Sequence, residues 1–303
     1  MISENPKIGF IGFGEVAYYL SKGLKGAGIK QIKAVDQPIY SEIVRNRARD
    51  AEVELALTLE ELVMRSELLI SAVWGNLSLE VAREAAHFMT SDKMFADLNN
   101  SSPRAKKLAA EAINAKGAKF IDIGLMAIPK EEGHKALMYV SGDGAEEFKA
   151  IMSKYGMNIQ IVPGEAGKAM TIKTLWSIHT KGTQALLWEL VLAAHKVGVD
   201  LSAHEPLIQK TAMGDLVFSI PQWLVMHAGL HAERKSNELR EIAEAMREWG
   251  IEPIVIEAAA KRLESVARYS LKDYFKAEMP AEGYQAMLKA IDKISKEAEI
   301  SVR

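Results

Sequence analysis

The sequence predicts an α/β protein in which an open, doubly wound sheet is followed by an all-helical domain. In the first half, short apolar runs alternate with amphipathic helical stretches, and several of these runs are almost entirely apolar. Such runs are typical of parallel strands that are covered on both faces. Strands almost vanish from the second half. We predict the boundary at Pro163-Gly164, which gives domains of residues 1–163 and 164–303.

The individual elements follow from hydrophobic periodicity. The candidate strands are Ile8–Ile11, Ile32–Val35, Leu68–Val73, Met94–Leu98, Phe120–Leu125, Ala136–Ser141 and Ile159–Val162. Helical stretches between them include Glu80–Met89 and Pro103–Lys116. The helices predicted for the second domain are Ala166–Val197, Pro206–Met213, Pro221–Arg247, Pro253–Tyr274 and Glu282–Ala298.

Composition excludes several classes of partner. The 303 residues carry a net charge of only −2, so neither nucleic acid nor a membrane surface is an expected partner. The chain has no cysteine, which removes disulfides and thiolate metal sites. The first strand begins within a few residues of Met1, which leaves no room for a signal peptide, and we expect a cytoplasmic protein.

The most informative motif lies at the start of the chain. A short apolar strand is followed by a glycine turn and a helix, with Gly-x-Gly-x-x-Ala spacing at Gly12, Gly14 and Ala17. Gly12 permits the tight turn, Gly14 lets the backbone approach a pyrophosphate, and Ala17 lets the helix lie close to the strand. The free N–H groups of the helix start favour phosphate. This Rossmann-type fingerprint predicts cofactor contacts from Gly12, Phe13, Gly14, Glu15 and Val16.

An acidic residue, Asp36, predicts which dinucleotide binds. It follows the second apolar run, about 20 residues beyond the turn, where a ribose 2′-hydroxyl would lie. A carboxylate accepts hydrogen bonds from that hydroxyl and repels a 2′-phosphate. We therefore expect NAD as the cofactor, with NADP less favoured. The alternative is a glycine turn in another α/β sheet that binds no nucleotide.

Two further strand ends carry candidate ligand contacts, because ligands of doubly wound sheets bind outside the carboxyl ends of the strands. Val73 and Trp74 follow one strand, and Asn99 and Asn100 follow the next. A helix cap explains Ser102-Pro103 but does not require the two asparagines. We interpret Val73 and Trp74 as cofactor contacts, and Asn100 as a residue that bonds a ribose or a substrate hydroxyl.

A polar stripe begins at the domain junction. Lys173, Ser177 and Lys181 recur every four residues along one predicted helix and therefore share a face. A lysine half-buried in a cleft has a lowered pKa and can accept a proton from an alcohol as hydride leaves the same carbon. The same spacing also fits an ordinary solvated helix face. Gly164 and Gly167 favour the functional interpretation, because they permit close approach to the first domain.

These motifs resemble those of the β-hydroxyacid dehydrogenases, which include 3-hydroxyisobutyrate dehydrogenase and are related to 6-phosphogluconate dehydrogenase. The resemblance covers nearly the whole chain and is strongest to the variant branch termed phosphogluconate dehydrogenase-like. It rests on the glycine turn, Asp97–Asn100, Asp122–Ala127, and Gly164-x-x-Gly167 followed by Lys173. It implies hydride transfer between NAD and a small β-hydroxy acid, which can carry a phosphate. In the phosphogluconate relatives the β-keto acid that oxidation forms then loses carbon dioxide. Lys173 is then the general base in oxidation.

The chain departs from the family pattern around the substrate. Met126-Ala127-Ile128 stands where the family has a Ser-Gly-Gly that holds a carboxylate, and Ser177 replaces an asparagine. The resemblance therefore implies a substrate other than 3-hydroxyisobutyrate. The catalytic residues that it implies are Lys173, Asn100 and Ser177. The substrate contacts that we expect are Met126, Ala127, Lys181, His231 and Arg234.

Two classes of function stay open. One is the dehydrogenase, or the same chemistry run as reduction of a keto acid or an imine, although relatives that reduce imines usually lack the lysine. The other is a non-catalytic NAD-binding sensor or scaffold, which the missing Ser-Gly-Gly favours. Relatives pair through the helical domain, and its long apolar faces predict a homodimer.

Several remaining side chains have structural explanations. His227 and His231 have metal-ligand spacing, but no third ligand accompanies them, so we expect no metal. We predict that His134 lies in a solvated loop. Trp223 and Trp249 are predicted core residues, and Trp188 is a candidate wall of the cleft.

Overall fold

The computed structural model describes residues 2–36, 41–127, 129–199 and 222–301. The chain forms two compact units, Met1–Leu175 and Trp176–Arg303. The division lies inside a continuous helix, Lys168–Lys196, whereas the sequence predicts it at Pro163-Gly164. The difference arises because the start of this helix is hydrogen-bonded to strands of the first unit.

One sheet forms the centre of the first unit. Its strands are β1 Ile8–Ile11, β2 Ile32–Val35, β3 Glu54–Leu55, β4 Leu68–Ser71, β5 Met94–Asp97, β6 Lys119–Leu125, β7 Leu137–Ser141 and β8 Asn158–Ile161. The order of the eight strands is β3-β2-β1-β4-β5-β6-β7-β8. Neighbours from β3 to β6 are parallel, β7 runs antiparallel to β6, and β8 runs parallel to β7. The order reverses at β1, which confirms the predicted doubly wound class.

Helices cover both faces of this sheet. They are α1 Glu15–Gly26, α2 Glu42–Asp50, α3 Leu59–Arg65, α4 Ser78–Ala86, α5 Pro103–Asn114, α6 Pro129–Glu132 and α7 Ala145–Met152. Side chains alternate along each strand, so Phe10 enters one hydrophobic core and its neighbour Ile11 enters the other. Cores on both faces explain why strands such as β4 are uninterrupted apolar runs.

The second unit is built from helices. They are the remainder of α8 Lys168–Lys196, then α9 Gln222–Leu230, α10 Ala232–Glu248, α11 Ile254–Ala267, α12 Leu271–Tyr274 and α13 Tyr284–Ser301. Trp188 is completely buried, and its indole N–H donates to the Val225 carbonyl oxygen at 3.0 Å. It is therefore a core residue rather than a cleft wall. Trp223 and Trp249 are 44% and 37% exposed, so their prediction as core residues is wrong.

Two predicted helices are interrupted. The stretch Pro221–Arg247 is divided at His231, where α9 ends and α10 begins. The stretch Pro253–Tyr274 is divided between α11 and α12, because Ser270 adopts a left-handed conformation with φ +47°. The predicted helix Pro206–Met213 lies outside the described residues. No helix in the described ranges is both long and apolar enough to cross a membrane.

Candidate active site

Gly12 forms the turn between β1 and α1. Its φ of +85° is left-handed and favours glycine. A Cβ at Gly12 would lie 2.6 Å from the carbonyl oxygen of Ala72, just beyond β4. The Gly12 N–H donates to the Val35 carbonyl oxygen at 2.8 Å. The turn is thus fixed where β1, β2 and β4 end, at the switch point where doubly wound sheets bind ligands.

Gly14 is glycine for a different reason. Its φ of −73° suits any residue, and a Cβ there would meet no atom of the described residues within 4 Å. Neither backbone conformation nor packing therefore requires glycine at this position. Gly14 is also the N-cap of α1, and no side chain of the residues that the structure describes caps that helix. Open space beside uncapped N–H groups fits the pyrophosphate of a dinucleotide.

The other residues of the turn divide between core and surface. The Phe13 side chain is completely buried, and its backbone N–H donates to Asp36 Oδ2 at 2.7 Å. Glu15 is exposed and Val16 is half-buried in the first turn of α1. Ala17 is completely buried, as close contact between α1 and the sheet requires. Contacts from Phe13 to a cofactor would therefore involve backbone rather than its ring.

Asp36 lies directly after β2 and is half-buried. Its hydrogen bond from Phe13 fixes the carboxylate beside the glycine turn. A negative charge held in this position can accept hydrogen bonds from a ribose hydroxyl and repels a phosphate group.

Asn99 and Val73 join the ends of β4 and β5. Asn99 is buried, and both its side-chain polar atoms are bonded within the protein. Its Oδ1 accepts from the Val73 N–H at 2.6 Å, and its Nδ2 donates to Ser71 Oγ at 2.9 Å. Asn99 is therefore a structural residue. Trp74, which follows Val73 in the chain, is 69% exposed and accessible to a ligand.

Asn100 is half-buried at the carboxyl end of β5. Its carbonyl lies against the Cα of Gly75, where any Cβ would collide with it. The predicted cap of the next helix is confirmed, since Ser102 Oγ accepts from the Ala105 N–H at 3.1 Å and Pro103 begins α5. Asn99 is bonded within the protein, so Asn100 stays the predicted ligand contact of the two asparagines.

Lys173 lies in the second turn of α8, and its side chain is half-buried. A Cβ at Gly124 of β6 would lie 3.4 Å from Lys173 Cβ and 2.9 Å from the carbonyl oxygen of Ala169. Glycine at position 124 therefore lets α8 pack directly on the carboxyl end of β6. Met126 and Ala127, which follow β6, are both half-buried.

Asp122 holds the start of α8 in place. Its Oδ2 accepts from the backbone N–H groups of Gly167 and Met170 at 2.9 and 3.1 Å. Ser141 donates to the same oxygen at 3.0 Å, and Ser141 Oγ accepts from the Ala169 N–H at 3.0 Å. These bonds satisfy N–H groups that a helix start leaves without intrahelical partners.

A charged group lies between α8 and α10 in the second unit. Lys181 Nζ is 2.9 Å from Glu238 Oε2 and donates to Ser177 Oγ at 3.1 Å. Arg234 Nη1 is 3.0 Å from the other oxygen of Glu238. Ser177 and Lys181 are buried, whereas Arg234 is largely exposed. Two cations therefore share the Glu238 carboxylate.

Lys235 adds a third cation to this group. It is 5% exposed, and its Nζ donates to Gln184 Oε1 at 2.6 Å. Burial, together with the charges of Lys181 and Arg234, lowers the pKa of Lys235 to about 7. One turn beyond Glu238, burial and neighbouring carboxylates raise the pKa of Glu241 to about 7.

His227 and His231 form an aromatic cluster with Trp223. The His227 ring stacks on Trp223 at 5.0 Å, and the two imidazoles meet edge to face at 4.7 Å. Burial lowers the pKa of His227 to about 3 and that of His231 to about 4. His231 is therefore a neutral hydrogen-bonding group near neutral pH. In the part of the chain that the structure describes, no three acidic or histidine side chains are placed to hold a metal ion.

The family comparison agrees with this geometry. Residues 7–164 match the model of the NAD binding domain of 6-phosphogluconate dehydrogenase. The chain belongs to this family. The match places it in the β-hydroxyacid dehydrogenase and 6-phosphogluconate dehydrogenase-like superfamily, as its motifs predict, and makes the sheet an NAD(P)-binding domain. Lys173 lies beyond the matched residues.

Similar proteins extend the relationship into the helical unit. An uncharacterized 28.5 kDa protein of Methanothermus fervidus is 30% identical over 250 residues, which cover 82% of this chain and 94% of that protein. A conserved protein of Sinorhizobium meliloti has a crystal structure with a TM-score of 0.72 at 27% identity, covering 96% of this chain and 97% of that one. A third conserved protein has a structure described as similar to 3-hydroxyacid dehydrogenases. Its TM-score is 0.68 at 30% identity, and the match covers 86% of this chain and 98% of that one.

More distant members of the superfamily include enzymes of two kinds. The Mycobacterium tuberculosis 3-hydroxyisobutyrate dehydrogenase shares the fold, with a TM-score of 0.69 at 15% identity over 88% of this chain and 94% of that one. An NADPH-dependent reductive aminase of Aspergillus oryzae is 28% identical over 148 residues, which span 48% of this chain and 47% of the aminase.

The sequence interpretation missed several residues that shape this member of the family. Gly124 carried a signal, because glycine within an apolar strand marks close backbone approach. Lys235 carried none, since polar residues on amphipathic helices are usually exposed. His134 is buried against α1 at Gly23, so its prediction as a solvated loop residue is wrong.

Proposed function

We propose that this protein is an oxidoreductase that transfers a hydride between NAD and a small β-hydroxy acid, with Lys173 as the general acid–base. The packing of Lys173 against Gly124 is the observation that carries the proposal. Gly124 lies near the carboxyl end of β6, and the Gly12 turn follows the carboxyl end of β1. Because β1 and β6 run in the same direction, the lysine and the turn belong to the same edge of the sheet.

A bound nicotinamide supplies the hydride acceptor for oxidation and the donor for reduction. The residues of the chain would bind and orient it, with the start of α1 at the pyrophosphate and Asp36 at the ribose. Asn100 is the amide that would contact the nicotinamide ribose or the substrate. The Lys173 amine would take the hydroxyl proton during oxidation and return it to the carbonyl oxygen during reduction.

The charges of the helical unit support an acidic substrate. Lys181 and Arg234 bring two positive charges to the single carboxylate of Glu238. An anion bound within this unit would complete this charge balance, with His231 as a neutral donor and Ser177 supporting Lys181. Met126 and Ala127 would supply apolar contacts. Arg234→Met should raise KM for the acid and leave NAD affinity unchanged.

The direct test uses Lys173→Met. The variant should bind NAD with wild-type affinity but lose at least about 100-fold in kcat, as removal of a general base does. Activity is measured as NADH absorbance across a panel of small β-hydroxy acids. Lys168→Met is the matched control, because this exposed lysine lies on the same helix. Full activity in Lys173→Met would remove the lysine from the reaction.

Imine reduction is the second candidate, because the Aspergillus oryzae relative is an NADPH-dependent reductive aminase. It would appear as NADPH consumption that requires a carbonyl compound and an amine together. NAD binding with no turnover in either assay would instead support a sensor or scaffold.

We also propose that the protein forms a homodimer through its helical unit. Large apolar side chains, among them Leu186, Ile254 and Val255, are more than half exposed there. A monomer mass by light scattering at micromolar concentration would contradict this.

A further inference from the structure

Lys106 of α5 is a completely buried cation beneath the proposed site. Its ammonium donates to the backbone carbonyl oxygen of Asp97 at 2.7 Å. It also lies 2.9 Å from Asp97 Oδ1 and 3.6 Å from Asp122 Oδ1. All three side chains have no exposed surface. Burying such a group is expensive, and packing alone would be served as well by an apolar residue.

Asp97 connects this cation to the loops that follow β4 and β5. Its Oδ1 accepts from the Asn99 N–H at 2.9 Å, and Asn99 in turn accepts from the Val73 N–H. Its Oδ2 accepts from Ser78 Oγ at 2.7 Å, at the start of α4. The geometry of the loop that carries Asn100 therefore depends on the position of Asp97.

Asp122 connects the same cation to α8. One carboxylate oxygen holds the N–H groups of Gly167 and Met170, one turn before Lys173. Within the described ranges the other oxygen accepts no hydrogen bond, and the Lys106 ammonium lies 3.6 Å from it. Burial raises the pKa of the Asp122 carboxyl, while the Lys106 ammonium opposes that change. The charge state of Asp122 thus depends on Lys106.

We propose that Lys106 is a positioning residue that couples the Asn99–Asn100 loop to the helix carrying Lys173. This inference rests on the proposed function only for its catalytic consequence. The mechanical coupling runs through Asp97 and Asp122 and holds whatever the substrate is. Lys106 acts through its two carboxylates, Asp97 and Asp122.

Hydrogen exchange of the wild-type protein gives the first test. NAD binding should slow amide exchange at residues 12–17 and 97–101 and also at residues 166–174, to which the cation is linked. Protection at 97–101 without any change at 166–174 would overturn the proposal. No protection at 12–17 would instead contradict the proposed function and leave the next test intact.

Variants give the second test, without a cofactor. In Lys106→Met, exchange at both 97–101 and 166–174 should become at least about tenfold faster. Lys107→Met is the matched control, because the adjacent Lys107 forms an exposed ion pair with Glu165 that also lies near α8. Wild-type exchange at 166–174 in Lys106→Met would contradict the coupling.

A double variant distinguishes loss of the coupling from misfolding. Lys106→Met leaves two buried carboxylates without their cation, and Lys106→Met with Asp122→Asn removes one of those charges. The double variant should fold, by circular dichroism, and should lose the NAD-dependent protection at 166–174. With an active substrate, kcat should fall more than KM changes, and the pH profile of kcat should shift in Lys106→Met but not in Lys107→Met. Retained protection in the double variant would overturn the proposal.

Discussion

Gly124 and Lys173 meet with no side chain between the strand and the helix, since a Cβ on Gly124 would lie 3.4 Å from Lys173 Cβ. The same Cβ would lie 2.9 Å from the carbonyl oxygen of Ala169, which is backbone and cannot rotate away. The position of the proposed catalytic amine is thus set by the absence of one methyl group on β6.

Gly124→Ala should therefore move α8 and lower activity. We expect a loss of stability of about 1–3 kcal/mol, as for other overpacked sites, with kcat reduced and NAD affinity retained. Gly182→Ala, later on the same helix, is the control, because its Cβ would reach its nearest neighbour only at 4.0 Å. That change should stabilise the protein by up to about 1 kcal/mol. Urea unfolding and steady-state kinetics measure both effects; equal kcat in the two variants would contradict this account.

The two glycines of the turn should respond in opposite ways. Gly12→Ala combines a left-handed φ with a backbone collision, so it should destabilise the protein by about 1–3 kcal/mol. In the described part of the chain the Cβ of Gly14→Ala meets no atom within 4 Å, so the melting temperature should be unchanged or slightly raised. Its methyl group would occupy the space assigned to the pyrophosphate, so NAD affinity should fall at least about tenfold. Calorimetric titration with NAD separates the two outcomes.

Asp36 should control the choice of dinucleotide. Asp36→Ala removes the charge and the hydrogen bond to the Phe13 N–H, so NAD should bind about tenfold more weakly and NADP more tightly. Asp36→Asn keeps an acceptor for Phe13 and isolates the effect of charge. An NAD-to-NADP affinity ratio that stays constant in both variants would exclude Asp36 from the ribose site.

Lys235 should make stability depend on pH. Its pKa is about 7 in the folded protein against an ordinary value of 10.5, so the unfolded chain binds more protons between these values. The free-energy cost of burying the charged Lys235 is complete below pH 7 and disappears as the pH rises toward 10.5. Lys235→Met should therefore stabilise the protein at pH 6 by about 1–3 kcal/mol, after the loss of the Gln184 bond, and the gain should fade at high pH.

Glu241→Gln provides the opposite control for that prediction. The pKa of Glu241 is raised to about 7 from 4.5, so its penalty is complete above pH 7 and absent below pH 4.5. The increase in unfolding free energy that Glu241→Gln brings should grow as the pH rises from 5 to 8. Unfolding free energies that change in parallel in both variants would show that the two buried charges do not act separately.

Local chemistry explains which features could be predicted from the sequence. Gly12 and Ser102 were predictable because a turn or a helix cap needs a particular residue at a particular place. Trp188 and His134 were misinterpreted because their burial depends on distant partners, Val225 and Gly23. The break at Ser270 has no local signal, since serine is not a residue that a left-handed conformation selects.

Lys106 is the clearest case of a residue whose surroundings the sequence pattern does not predict. A lysine on an amphipathic helix predicts a solvated side chain, and only the neighbouring strands β5 and β6 supply the two carboxylates that bury it. The acids themselves, Asp97 and Asp122, were visible as strand-end residues. Their joint contact with one cation is a property of strand order, which the hydrophobic pattern alone does not encode.

The first N–H groups of helix α8 donate to side chains of the first unit, and the rest of the helix belongs to the second. A fragment that stops at Pro163 would leave the carboxylate of Asp122 and the hydroxyl of Ser141 facing a missing helix. The smallest nucleotide-binding piece that can fold by itself therefore has to extend to about Leu175. Chimeras that combine units from different relatives should fold when the junction lies within α8. They should fail to fold when the junction lies at Pro163, where the sequence pattern predicts the boundary.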